Sequence, residues 1–329
     1  MVEERLTAYC GADPHHVHSD LEDIIEQGCT GIVFCMSETD FDLVPGRIEA
    51  TIEGAGKVGL DVYLDFWGLG GCFATNRIPS KYLCFNPDVC RTGFDQSRRL
   101  DTEDNTEVPR GCINNPKFLD WIRAFTSKII AAYPAKGVFW DEPKHGYCRC
   151  RYCQARFEQH YSDKMPEAVD ARVEAMFNEN VTEFLIMLFE NARDTAAVQN
   201  MLCFMTTTQA ELGAGNVAKL LNSEALDIYG TDPYWIALDK DFAWLRSEIE
   251  KVLDVCREYR KRSHIWIQCH AIPAGREHEV YEATLETANC EPDIIAAWGY
   301  KGMNSDLRAD NPEQCWDELG RAYRQIKNA

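Results

Sequence analysis

The sequence predicts a single (β/α)8 TIM barrel, with long loops after strands three and four. Three observations predict it. Eight short apolar runs alternate with eight amphipathic stretches of period near 3.6 along the 329 residues. No linker-like segment divides the chain, so residues 1–329 read as one barrel domain. Finally, no G-x-G-x-x-G follows the first run, which disfavours the competing doubly wound dinucleotide sheet.

The strand candidates are Leu6–Cys10, Gly31–Met36, Asp61–Phe66, Gly137–Trp140, Met201–Met205, Leu226–Tyr229, His264–Cys269 and Ile294–Trp298. Between them the helical stretches are Ser19–Gln27, Gly46–Val58, Pro116–Tyr133, Ala168–Val198, Gly215–Asn222, Phe242–Arg262, Glu277–Asn289 and Pro312–Lys327. Two insertions interrupt the alternation. Residues 67–115 follow the third strand and carry Gly68, Gly70, Gly71 and the acidic run DTEDNTE. Residues 143–166 follow the fourth and carry a cysteine cluster. In an alternating barrel both leave C-terminal strand ends, the face on which barrels carry their chemistry.

Composition narrows the function classes. With 53 acidic against 34 basic residues the net charge is −19, a field that repels phosphate backbones and anionic lipid. Nucleic-acid and membrane partners are therefore disfavoured, and solubility or a salty cytoplasm explains the charge. No apolar run approaches the roughly 18 residues of a membrane span. The N-terminus MVEERLTAYCG lacks a signal-peptide layout, so the expected location is cytoplasmic. Homo-oligomer formation is compatible with all of this.

Fifteen cysteines are an odd number in a chain too large to need disulfide staples. Most lie in apolar runs, as Cys35, Cys203 and Cys269 do, where cysteine acts as a small hydrophobe. Cys148, Cys150 and Cys153 differ, because C-x-C-x-x-C flanked by Arg149, Arg151 and Tyr152 is poor core material. Three soft donors within six residues need a fourth to close a structural zinc site. Cys112 is the best candidate, with Cys84 and Cys90 as rivals in the same loop. No organic cofactor is implied.

The fourth strand stops at Asp141-Glu142-Pro143. Adjacent acids at a barrel strand end suit general acid–base chemistry on a glycosidic bond, although on a regular pleat the two point to opposite sides. Solvated end caps offer the plainer explanation, but the other strand ends shift the balance. Asp65 and Trp67 end strand three. Asp232, Tyr234 and Trp235 follow strand six, Gln268 and His270 end strand seven, and Trp298 ends strand eight. Carboxylates and amides take sugar hydroxyls, and flat aromatic faces cover C–H patches.

The segments PRGCINNPKF, FWDEP, CRCRYC-x-x-x-F and YGTDPYW resemble the catalytic barrel of clan A glycoside hydrolases, in particular the zinc-carrying family 42 β-galactosidases. That resemblance implies a carbohydrate substrate, a structural zinc on Cys112, Cys148, Cys150 and Cys153, and Glu142 as acid/base with Asp141 in place of the usual asparagine. Family 42's later domains have no counterpart here. The clan's nucleophilic glutamate ends strand seven, where this chain has Gln268. Three routes then remain: Asp232 or Asp65 as base of an inverting mechanism, a substrate-assisted mechanism with Asp141 holding a 2-acetamido group, or sugar binding without cleavage. A metal-dependent amidohydrolase using His16 and His18 is the rival enzyme class. It lacks histidines after strands five and six, and only Asp306 or Asp310 is on offer after strand eight.

Overall fold

The computed structural model describes every residue except 1, 12, 14, 75–78, 95–99, 102–107, 144, 145, 303–307, 328 and 329. Most of the DTEDNTE run, and Asp306, therefore lie outside the described residues. Eight parallel strands close into a barrel: β1 Glu4–Tyr9, β2 Gly31–Met36, β3 Asp61–Phe66, β4 Gly137–Asp141, β5 Gln199–Cys203, β6 Ile228–Thr231, β7 Arg262–Gln268 and β8 Ile294–Trp298. Closure comes from β1 pairing β8, with Glu4 opposite Ile294. The surrounding helices are α1 Val17–Glu26, α2 Pro45–Val58, α3 Pro116–Ala132, α4 Ala171–Thr195, α5 Ala214–Leu221, α6 Phe242–Tyr259, α7 His278–Asn289 and α8 Pro312–Lys327.

All the strands are buried along most of their length, as parallel strands covered on both faces must be. Alternate residues fill the lumen: Leu6, Val33, Tyr63, Phe139, Met201, Ile228, Trp266 and Ala296 share one inner cluster. Residues of the other parity, such as Ile32, Leu64, Trp140 and Leu202, pack outward beneath the helices. Bulky rings in the lumen require small neighbours. A Cβ at Gly230 would sit 1.9 Å from the His264 carbonyl oxygen and 2.4 Å from its ring, so only glycine fits there.

Strands β1, β5 and β7 each begin two residues before the apolar run that announced them. The reason is a polar closure at the N-terminal end of the barrel. Lys136 Nζ lies 2.9 Å from Glu4 and 2.8 Å from Asp61, and Arg262 reaches Glu4 at 2.6 Å. The Tyr63 hydroxyl donates to Glu4 at 3.0 Å. Burial opposes the charge on Glu4, but hydrogen bonds from Lys136 and Arg262 outweigh it and hold the carboxyl below its ordinary value. Polar residues that pair this way stay in the ladder despite reading as loop.

Two further boundaries differ from expectation. Helix α1 begins after His16, and Ser19, expected at its start, lies inside it and donates its hydroxyl to the His16 carbonyl at 2.9 Å. Met205, expected to end the fifth strand, is the N-cap of a short helix, Thr206–Leu212. The insertion after β3 holds a short helix, Lys81–Phe85, and an antiparallel pair, Leu100–Asp101 with Val108–Pro109. Glu38 anchors that loop by accepting from Gly70 N at 3.0 Å and Tyr82 N at 2.9 Å. After β4 comes the helix Arg151–Tyr161.

Candidate active site and metal centre

Asp141 is the last residue of β4 and has the parity of Phe139, which faces the lumen. Glu142 would face outward on a regular pleat. Instead its φ is +35°, a left-handed conformation that costs a non-glycine residue about 1 kcal/mol or more. That turn breaks the alternation and brings the two neighbouring acids to the same end of the lumen. The Asp141 carbonyl accepts from Ala74 N at 3.0 Å, tying the strand end to the preceding insertion.

Asp232, just beyond β6, is buried close to Glu142 and Asp141. Burial first, then the charge of Glu142 and its hydrogen bond, then Asp141, push the Asp232 carboxyl well above the ordinary carboxylate range. Three acids therefore crowd one corner, and Asp232 keeps its proton there. Tyr234 lies in the same field: burial, followed by Asp232, raises its hydroxyl well above the usual phenol value.

His270 completes this side. Its ring meets Tyr234 edge-on at 4.8 Å, and its Nδ1 lies 3.2 Å from the Trp298 carbonyl oxygen. A carbonyl can only accept, so Nδ1 carries the proton and Nε2 presents a lone pair. Burial pushes the imidazole down to about 4, which keeps it neutral at physiological pH. On the neighbouring strand, Trp298 meets Trp67 edge-to-face at 6.2 Å and Trp266 at 5.6 Å, an arc of three indoles.

Three expected sugar contacts lie elsewhere. Trp235 is buried outside the lumen against Phe242 and donates its indole N–H to Glu279 at 2.9 Å. It is a core residue, because the position after Tyr234 turns toward the helices. Gln268 is fully buried; its Oε1 accepts from Ile236 N at 3.2 Å and Ala237 N at 3.1 Å, and its Nε2 donates to the His270 carbonyl at 3.0 Å. Both polar atoms thus hold backbone. Asp65 faces the lumen at the end of β3, but it is fully enclosed and neither oxygen has a hydrogen-bond partner. Burial pushes its carboxyl up to about 7, against a weak attraction from the Cys35 thiol.

The thiols converge as a metal site requires. Cys112 Sγ lies 3.5 Å from Cys150, 3.5 Å from Cys153 and 3.7 Å from Cys148, and Cys150 lies 3.7 Å from Cys153. Sulfurs at the corners of a tetrahedron around zinc stand about 3.8 Å apart, so the set fits. Thr92 N donates to Cys148 at 3.3 Å and Asn114 Nδ2 to Cys153 at 3.4 Å, bonds that favour thiolates and orient them. Hydrogen bonding from Cys112 holds Cys148 and Cys150 below the ordinary thiol value. These four residues can hold a metal ion, and among the described residues no other His, Cys, Asp or Glu group of three or more does so. The rivals fall away: Cys84 is exposed, and Cys90 is buried with its thiol toward the Leu83 carbonyl.

His16 and His18 stand at the start of α1 with 71% and 75% of their side chains exposed, facing Asp13 and Glu22. No third ligand approaches them, so the amidohydrolase set does not assemble among the described residues. Asp310 instead accepts from Ala274 N at 2.9 Å.

No protein-family model matches the sequence, and no curated protein sequence matches it. Solved structures do. A β-galactosidase from the Antarctic haloarchaeon Halorubrum lacusprofundi superposes with a TM-score of 0.74 at 13% identity, over 99% of this chain and 58% of that one. The cold-adapted β-galactosidase from Rahnella sp. R3 gives 0.69 at 14%, over 98% and 56%. The catalytic domain of a β-amylase from Paenibacillus polymyxa gives 0.64 at 8%, over 98% of this chain and all, 100%, of that domain. The chain shares their barrel fold. It spans little more than half the length of the two β-galactosidases, at 58% and 56%. No helix among the described residues is long and apolar enough to cross a membrane.

Proposed function

We propose that the chain is the catalytic barrel of a glycoside hydrolase, with Glu142 as the group that delivers a proton to the glycosidic oxygen. One observation carries the reading: three carboxyl groups, Asp141, Glu142 and Asp232, meet at the C-terminal ends of β4 and β6, and Glu142 reaches them through a left-handed backbone. Asp232 holds a proton beside Glu142, within the cluster that a general acid needs. Delivery of the Glu142 proton lets the C1–O bond break, and the water that adds at C1 returns a proton to the pair. Trp67, Trp298, Tyr234 and His270 supply the aromatic faces and the acceptor that a sugar ring needs.

The same reading gives the four thiolates a structural zinc, since four ligands leave no open position for water. It would pin the 67–115 loop to the helix after β4. Fifteen cysteines with no disulfide among them suit a reducing compartment, which supports a cytoplasmic location. A second reading, a carbohydrate-binding barrel that does not cleave, is favoured by Gln268, whose polar atoms are bound to backbone where a nucleophile was expected. A panel of chromogenic α- and β-glycosides decides between them. Turnover that falls about 10²–10⁴-fold in Glu142→Gln supports hydrolysis; turnover unchanged in that variant removes the assignment.

A further inference from the structure

The carboxyl geometry restricts the substrate, given the hydrolase reading above. Glycosidases that use two protein carboxyls place them on opposite sides of the sugar, about 5 Å apart for retention and roughly 6.5–9.5 Å for inversion. Each described residue expected to stand across from Glu142 is unsuited to that place. Gln268 has no carboxylate, and its amide holds Ile236 N, Ala237 N and the His270 carbonyl. Asp232 is buried, and that burial with the nearby charge of Glu142 holds its carboxyl protonated, so it does not take a proton from water. Asp65 is wholly enclosed.

What remains is a pair of adjacent acids at one strand end. Asp141 keeps the lumen-facing parity of β4, and the +35° φ of Glu142 turns the next side chain to the same end of the barrel. Neighbouring carboxyls address neighbouring atoms of a substrate, and the glycosidic oxygen on C1 stands beside the substituent on C2. The missing nucleophile can then be that substituent.

We infer that the site cleaves glycosides of 2-acetamido sugars, with Asp141 holding the acetamido N–H. The acetamido carbonyl oxygen attacks C1 as the C1–O bond breaks, and Glu142 gives its proton to the departing oxygen. Asp141 steadies the positive charge that develops on the cyclised amide. Water then adds to C1, the ring opens back to the acetamide, and the water's proton returns to Glu142.

The test pairs turnover with binding. p-Nitrophenyl 2-acetamido-2-deoxy-glucosides and -galactosides of both anomers are compared with the parent glucosides and galactosides. Calorimetry measures the thiazoline analogue of N-acetylglucosamine, which imitates the cyclised intermediate, against N-acetylglucosamine itself. Expected are turnover confined to the acetamido substrates and a thiazoline preference of at least about 100-fold. Asp141→Ala should abolish that preference and lower kcat by about 100-fold, with KM little changed. Turnover of the parent glycosides with no thiazoline preference overturns the inference and leaves the hydrolase reading standing. No turnover on any glycoside, together with no thiazoline binding, overturns both.

Discussion

Asp65→Asn gives the sharpest test of how the lumen treats charge. The wild-type carboxyl is fully buried, its oxygens have no hydrogen-bond partner, and burial raises it from 3.8 to about 7. In the unfolded chain it ionises at its ordinary value. Between these two values the folded state binds the extra proton, so stability is highest below about pH 4, falls as pH rises, and levels off above about pH 7. A shift from 3.8 to about 7 corresponds to about 4 kcal/mol at 1.36 kcal/mol per unit. Asparagine cannot ionise, so the variant should gain about 4 kcal/mol relative to wild type between pH 4 and pH 8. With an unfolding entropy of about 2.1 cal/mol/K per residue, that difference moves the relative Tm by about 6 °C. Urea or thermal unfolding of both proteins across that range measures it. Parallel stability curves for the two proteins would show that Asp65 is hydrated or partnered, and the buried-charge reasoning would fail.

Other outcomes follow from the same contacts. Gln268→Leu strips two backbone N–H groups and a carbonyl of their partner and should cost roughly 3 kcal/mol, read by denaturant midpoint. On the zinc site proposed above, metal analysis should find one zinc per wild-type molecule and none in Cys112→Ser, which should also be cut faster around Arg149 and Arg151; full zinc retention would remove Cys112 from the ligand set. Glu4→Gln should destabilise the barrel above about pH 5 and converge with wild type as pH falls, because the native carboxylate is held below its ordinary value and its contribution disappears once it is protonated.

Much of the barrel was legible because burial on both faces forces continuous apolar runs at nearly every strand. The first residues of β1, β5 and β7 were not, since Glu4, Arg5, Gln199, Asn200 and Arg262 look like loop until their partners across the barrel floor are known. Ligand spacing announced three of the four thiols. The fourth was recoverable from loop order, and Cys84 and Cys90 are excluded by exposure and packing rather than by anything local. Trp235 misled because aromatic character does not reveal on which side of a turn a ring falls. Gln268 is the reverse case: its identity flagged a departure, but its role as an anchor for the loop carrying Tyr234 depends on amides more than thirty positions away in the chain. The left-handed φ at Glu142 had no sequence signal, because glutamate is a residue that ordinarily avoids it.

That conformation has a practical outcome for anyone evolving this protein. At position 142 glycine would relax the backbone and delete the acid in a single substitution. With Glu142 as the proposed proton donor, selection for heat resistance alone should enrich inactive molecules at this codon, so a library has to be sorted on turnover before it is sorted on temperature.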